Sequence, residues 1–271
     1  MKTKQIILSA LAIMCCVLAS AQNRKFEGEF VMTNTVTVDK TIQKLYSWAR
    51  SGEYKMYFVQ RGGDQLCDET YTGTTSLILR SKNMCYVYSK LLKKGYKYSY
   101  SGLEVQMDTL HRNATSTVAP TGETRDMHGF TCKRYKGTVS EDTDFFGVKI
   151  SSVNDMDYWV CEDFPSDYIG STKVSGMPFA YEEIAKIKLP LFGTGSQHQT
   201  LTISSLKERT VEDSELAVPT DISFETTNDG YNAQAKIAKE VRKYKKKNKI
   251  EDDNVSVKEE GVSQKKGDWD F

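Results

Sequence analysis

The sequence predicts a mainly β (α+β) chain: a meandering antiparallel sheet, a sandwich or a partial barrel. Three observations predict it. From Phe26 to about Phe224 the apolar residues recur mostly with period two, the mark of strands. The runs are short, spaced by roughly 8–12 residues and separated by turn residues. Helical periodicity is confined to two segments, 180–188 and 232–247.

Residues 1–21 read as a cleavable secretory signal. Lys2 and Lys4 give a positive start, Ile6–Leu18 is apolar apart from Ser9, and Ala19-Ser20-Ala21 supplies the small-residue cleavage pattern before Gln22. The apolar run is shorter than the ~20 residues that span a bilayer, so the mature chain is not expected to cross a membrane. The expectation is export to the periplasm or outer-membrane periphery of a Gram-negative bacterium. The whole chain has 37 Lys+Arg against 36 Asp+Glu. Such a balance gives no basic footprint for nucleic acid.

Residues 22–227 are expected to form the β domain. Phe30, Met32 and Val36 open it; Tyr54, Met56 and Phe58 alternate with Lys55, Tyr57 and Val59; Gly62-Gly63 punctuates. Short strands follow at 65–71, 75–80, 84–89 and 96–100, then at 130–139 and 156–162, with a late one marked by Leu201, Ile203 and Leu206. Segment 180–188 (AYEEIAKIK) reads as two helical turns between Pro178 and Pro190. In 228–248, Ala233, Ile237, Val241 and Tyr244 share one stripe, and lysines cover much of the rest. From 249 to 271 periodicity is lost and charges of both signs alternate, which predicts a disordered tail.

Exported chains favour disulfides, and Cys67, Cys85, Cys132 and Cys161 remain after cleavage. A hairpin of 129–138 with 155–163 around a polar loop, 140–153, sets Tyr135 opposite Tyr158 and Cys132 opposite Cys161. Facing cysteines on adjacent strands lie within bridging range, so a Cys132–Cys161 disulfide is expected. Cys67 and Cys85 have a strand between them, ~9.6 Å for two strand spacings, and are expected to stay unbridged, buried and on opposite faces. The same reading puts Leu77, Leu79 and Val87 on one side of the middle strands and Ile78, Tyr86 and Tyr88 on the other. Both faces are then apolar, which asks for a second layer of protein or a ligand pocket.

Catalytic motifs are missing: there is no G-x-S-x-G, H-E-x-x-H or phosphate-cradling loop. The chain reads as non-enzymatic, with no cofactor and no metal. His111, His128 and His198 lie far apart, and His128, in a turn before Gly129, reads as structural. Asp68-Glu69 and Glu182-Glu183 read as solvated surface pairs.

Thr121–Tyr135 (TGETRDMHGFTCKRY), Tyr158-Trp159 and Val211–Phe224 (VEDSELAVPTDISF) together resemble an exported, Bacteroidota-type family, the domain of unknown function DUF4412, and more distantly the LolA-like lipoprotein carriers. The shared marks are Gly129, Cys132 and Tyr135, the Tyr-Trp pair, and the closing Glu215, Leu216, Val218 and Pro219. The likeness covers most of 24–226. It implies a strongly curved antiparallel sheet or half-barrel with a few helices on its concave face, and in the carriers that space holds acyl chains. The ligand-lining candidates are Tyr54, Met56, Phe58, Leu77, Leu79, Tyr86, Tyr88 and Trp159, for a lipid or lipoprotein acyl chain. The competing expectation is an envelope interaction or structural protein. It would use the basic helix and tail toward a protein partner or an anionic surface, and deleting 228–271 would leave stability intact.

Overall fold

The computed structural model describes residues 26–45, 51–110, 113–145, 148–162, 164, 174–189 and 193–250. The expected signal (1–21) and the tail from 251 onward lie outside the described residues.

The fold is mainly β: among the described residues it is one large curved sheet that does not close, with three helices. Its 13 strands are β1 (Glu27–Val38), β2 (Gly52–Arg61), β3 (Asp64–Glu69), β4 (Thr74–Leu79), β5 (Met84–Ser89), β6 (Lys94–Ser99), β7 (Thr115–Ser116), β8 (Ala119–Met127), β9 (Phe130–Phe145), β10 (Val148–Cys161), β11 (Met177–Leu189), β12 (Gly193–Glu208) and β13 (Ser223–Thr226). The helices are α1 (Lys40–Leu45), α2 (Tyr100–Leu110) and α3 (Gly230–Asn248). In space the strands run β13-β6-β5-β4-β3-β2-β1-β12-β11-β10-β9, with β7 and β8 both on the outer side of β9. Every pairing is antiparallel except β13 with β6.

Alternation builds the strands. In β1, Phe30, Met32, Asn34, Val36 and Val38 point inward between more exposed neighbours. The β8–β9 hairpin turns on His128 (φ 54°) and Gly129 (φ 78°), the two left-handed residues that match strand twist. His128 is tied down by Nε2, 2.8 Å from the Ile203 carbonyl, the structural role expected of it.

Three breaks in register help bend the sheet: at Val31/Met32, at Trp159/Val160 and between Pro120 and Thr124. The curl brings Phe26, at the start of β1, to 6.5 Å from Phe130 of β9, although β12, β11 and β10 lie between them. Phe26, Phe30, Phe58, Phe130, Phe164 and Phe179 fill the concave side there, with Phe26 and Phe164 at 4.2 Å and Phe30 stacked on Phe58 at 4.5 Å.

Beyond β3 the concave face is lined by Thr74, Ser76 and Ser89, and their small side chains let helices approach. Helix α3 lies here with Ala233, Ile237 and Val241 buried at 0–1% exposure. Gln234 Nε2 donates to Glu69 Oε1 at 2.6 Å. Gly73, at φ +67°, leaves room for Val241: a Cβ there would sit 2.9 Å from its Cγ1. Tyr100 and Leu103 of α2 cover Ile78 and Cys85. The convex face of the same strands is covered by 209–224, whose Val211, Leu216, Ile222 and Phe224 pack on Leu77, Leu79, Tyr86 and Tyr88.

Several expectations change. Segment 180–188 is not a helix but part of β11, paired along its length with β10 and β12. The loop 140–153 is largely strand: β9 and β10 continue to Phe145 and Val148 in the anticipated register, which holds Tyr135 opposite Tyr158. Leu77 pairs with Tyr86 and Ile78 with Cys85, so Leu77, Leu79, Tyr86 and Tyr88 share one face and Val87 joins Ile78 on the other. The 3-10 turn Arg80–Lys82, closed by Asn83 at φ 51°, sets that register. Cys67 pairs with Ser76, two residues from Ile78, so Cys67 and Cys85 share a face instead of opposing. The intervening strand keeps them apart, and both are buried thiols. Helix α3 is part of the concave core, so removing it exposes Ile237 and Val241's partners and is not neutral for stability.

Candidate functional site

The concave face changes character along its strands. Beside the aromatic core, three successive cross-strand rows carry polar groups inward. The first reads Tyr54, Asn34, Leu201, Tyr181, Tyr158 and Tyr135; the second Val36, Gln199, Glu183 and Met156; the third Val38, Gln197, Ala185, Asn154 and Val139. Strand alternation puts each of these on the inner side.

The amides are chained. Gln197 Nε2 donates to Gln199 Oε1 at 3.2 Å, and Gln199 Nε2 to Asn34 Oδ1 at 3.1 Å. The chain ends on Asn34 Nδ2, a donor with no hydrogen-bond partner among the described residues, on a residue with 0% exposure. Asn154 Oδ1 is likewise an unmatched acceptor. Buried donors and acceptors left so cost about 1–3 kcal/mol each, which makes two on one face a feature to explain. Tyr54, opposite Asn34, rests on Tyr71 with centroids at 4.7 Å.

Glu183 sits between Gln199 and Met156. Burial alone pushes its carboxyl up to about 7, since no cation offsets the lost hydration. It nevertheless keeps accessible surface. Burial, and after it the Glu183 charge, raises the neighbouring Tyr158 and Tyr181 hydroxyls. Tyr158 Oη donates to Met156 Sδ at 2.9 Å. The sequence reading treated Glu182-Glu183 as one surface pair; alternation splits it. Glu182 faces out to His198 at 2.7 Å, and Glu183 faces in.

The residues nominated from sequence are divided. Met56 and Phe58 are core side chains of the concave face, with Tyr54 at its polar end. Leu77, Leu79, Tyr86 and Tyr88 lie on the convex face under 209–224. Trp159 packs at the border of the aromatic core, with the guanidinium of Arg134 5.5 Å from its ring. Arg134 is itself forked between Glu123 and Asp157, both at 2.8 Å, and holds the Asp157 carboxyl below its ordinary range. The eight residues therefore do not line one shared space.

The expected Cys132–Cys161 disulfide is corrected: the structure carries both as thiols. They are nonetheless together and buried, and the thiol contact with Cys161, ahead of burial, raises Cys132.

Two charged regions complete the surface. A cleft of ≈ 490 Å³ is lined by Glu27, Arg61, Asp64, Arg80 and Ser81. Its charges are engaged: Arg61 with the Val211 carbonyl and Asp213, Asp64 with Ser81, Arg80 with Tyr100, and Glu27 with the Val211 amide. Helix α3, its apolar stripe facing the sheet, leaves Lys243, Lys246 and Lys247, with Lys249 just past its end, exposed and without an ion pair among the described residues. Among the described residues no helix is long and apolar enough to cross a membrane, and no group of three metal-ligating side chains gathers.

No protein-family model matches the chain, and no curated protein matches it.

Proposed function

We propose that this chain is an exported, non-enzymatic binding protein of the cell envelope whose ligand is amphipathic, a lipid or the acyl chain of a lipoprotein. One observation carries the reading. The concave side of an open sheet passes, within a few residue rows, from an aromatic core to tyrosines, amides and a carboxyl that include unmatched polar atoms. An apolar wall with a few convergent polar groups is the usual make-up of a ligand site. The resemblance to the LolA-like carriers favours the same class of ligand. The site is then centred on Tyr54, Asn34 and Glu183 and not on the convex-face residues.

The experiment is extraction of the purified mature protein followed by mass spectrometry, with uptake of a fluorescent fatty-acid probe measured in parallel. Co-purifying lipid and saturable uptake are expected. Absence of both overturns the reading.

A second reading rests on α3. Its three exposed lysines and Lys249 at its end form a basic surface fixed to the sheet, suited to an anionic membrane at about 1 kcal/mol per cation. Co-sedimentation with phosphatidylglycerol vesicles, lost at high salt and in a Lys243→Glu/Lys246→Glu/Lys247→Glu variant, supports it. Equal sedimentation with phosphatidylcholine vesicles rejects it.

A further inference from the structure

We propose that Glu183 is the anchor for a cationic amine on the ligand's headgroup, an inference that rests on the amphipathic-ligand reading above. The argument starts from charge. Glu183 points to the inside of the sheet and has neither an ion pair nor a hydrogen bond to any described residue. Buried Glu69, by contrast, receives bonds from Gln234 and Thr72. No lysine, arginine or histidine stands on the three rows around Glu183. A carboxyl taken out of water without a counter-charge is costly to ionise, and the missing cation is supplied most simply by what binds there.

The neighbours select the kind of cation. Ca²⁺ takes six to eight oxygens and Zn²⁺ three or four His, Cys or carboxylate ligands, and no group of three or more acidic, His or Cys side chains gathers among the described residues. Tyrosine rings lie on the same rows: Tyr181 and Tyr158, 5.4 Å apart, beside Glu183, and Tyr54 beyond Asn34. Such rings favour an ammonium through their quadrupoles. Asn34 lies two strands across and two residues along from Glu183, roughly 12 Å between backbones, and its Nδ2 needs an acceptor. A headgroup with an amine toward Glu183 and a hydroxyl or carbonyl oxygen toward Asn34 satisfies both. A phosphate is disfavoured, because the rows hold no cation to neutralise it.

The pH behaviour follows. Glu183 titrates near 7 in the unliganded protein, where Tyr158 and Tyr181 are the titratable groups facing it, and both stay neutral in this range. An alkylammonium, with a pKa of roughly 10 like that of lysine, keeps its charge throughout. Affinity is therefore near full about a unit above pH 7 and falls through and below pH 7 as the carboxyl takes up a proton.

The test is calorimetric titration of the full mature chain with dodecylamine, 1-dodecanol and laurate below their aggregation thresholds. Dodecylamine is expected to bind at pH 8 about tenfold or more tightly than the other two, and several-fold more weakly at pH 5.5 than at pH 8. Glu183→Gln, nearly isosteric, is expected to fold and to bind dodecylamine no better than dodecanol; Glu183→Asp should keep part of the preference. Equal or tighter binding of dodecanol or laurate overturns amine selection and leaves the amphipathic-ligand reading standing. Binding of none of the three overturns both. A Glu183→Gln protein that retains the amine preference removes Glu183 as the anchor.

Discussion

The two ends of the concave face are finished by different means. Over one end of β4 and β5 the inward side chains are small, Thr74, Ser76 and Ser89, and α3 fills the space, while α2 covers Ile78 and Cys85 beside them. Over β1 and β10–β12 they are large, and the curl of the sheet packs phenylalanines against one another. Each solution is complete where it operates. Between and beyond them lie the rows of Asn34, Gln199 and Glu183, where the described structure supplies amides and a carboxyl and leaves polar atoms unmatched. Unmatched buried polar groups are uncommon in protein interiors, so these rows are where the two packing strategies leave the most unfinished business.

The comparison breaks first at α3. Ile237→Asp puts a charge into the helix–sheet contact, where the wild-type residue is 1% exposed. A loss of roughly 3–5 kcal/mol, typical of an uncompensated buried charge, should appear as a lowered urea midpoint. If stability is unchanged, α3 is an appendage and not the cover described here.

Glu183→Gln probes the opposite end. A carboxyl raised from 4.5 to about 7 binds protons more tightly when folded than unfolded, so it lowers stability progressively as pH rises through that window. The variant should match wild type near pH 4. By pH 8 it should be more stable by about 3 kcal/mol, at roughly 1.4 kcal/mol for each of the ~2.5 pH units that separate the two values. A constant difference across pH in thermal melts would mean that Glu183 is solvated.

Gly73→Ala tests the fit of helix to sheet more gently. It combines a left-handed residue with a methyl 2.9 Å from Val241, and should cost about 1–2 kcal/mol. Pairing it with Val241→Ala should recover part of that loss, because the clash disappears with the larger side chain.

The parts legible in the sequence were those whose signal is local. The stripe Ala233, Ile237, Val241 marked α3, although Tyr244, its last member, remains 41% exposed. The matched Tyr and Cys positions set the β9–β10 register. Segment 180–188 misled because Ala, Glu and Lys are helix formers, and pairing on both sides overrode that propensity. Face assignment in β5 turned on one turn, Arg80–Lys82, whose length shifts every later side chain to the other side. The candidate site was hidden for a different reason. Asn34 of β1 is remote in the chain from Glu183 and Gln199 of β11 and β12, and inward polar residues look like solvent-facing ones until neighbouring strands are known.

The sheet's two borders bear on how such a protein survives at high concentration. An unclosed sheet offers backbone donors and acceptors to any passing strand. Here one margin ends in the four residues of β13, and the other carries two-residue β7 and the irregularly paired β8 with its Glu123, Arg125 and Asp126. Stubs and charges of this kind deny a second molecule a long flat template, so the rim refuses to zip into fibres.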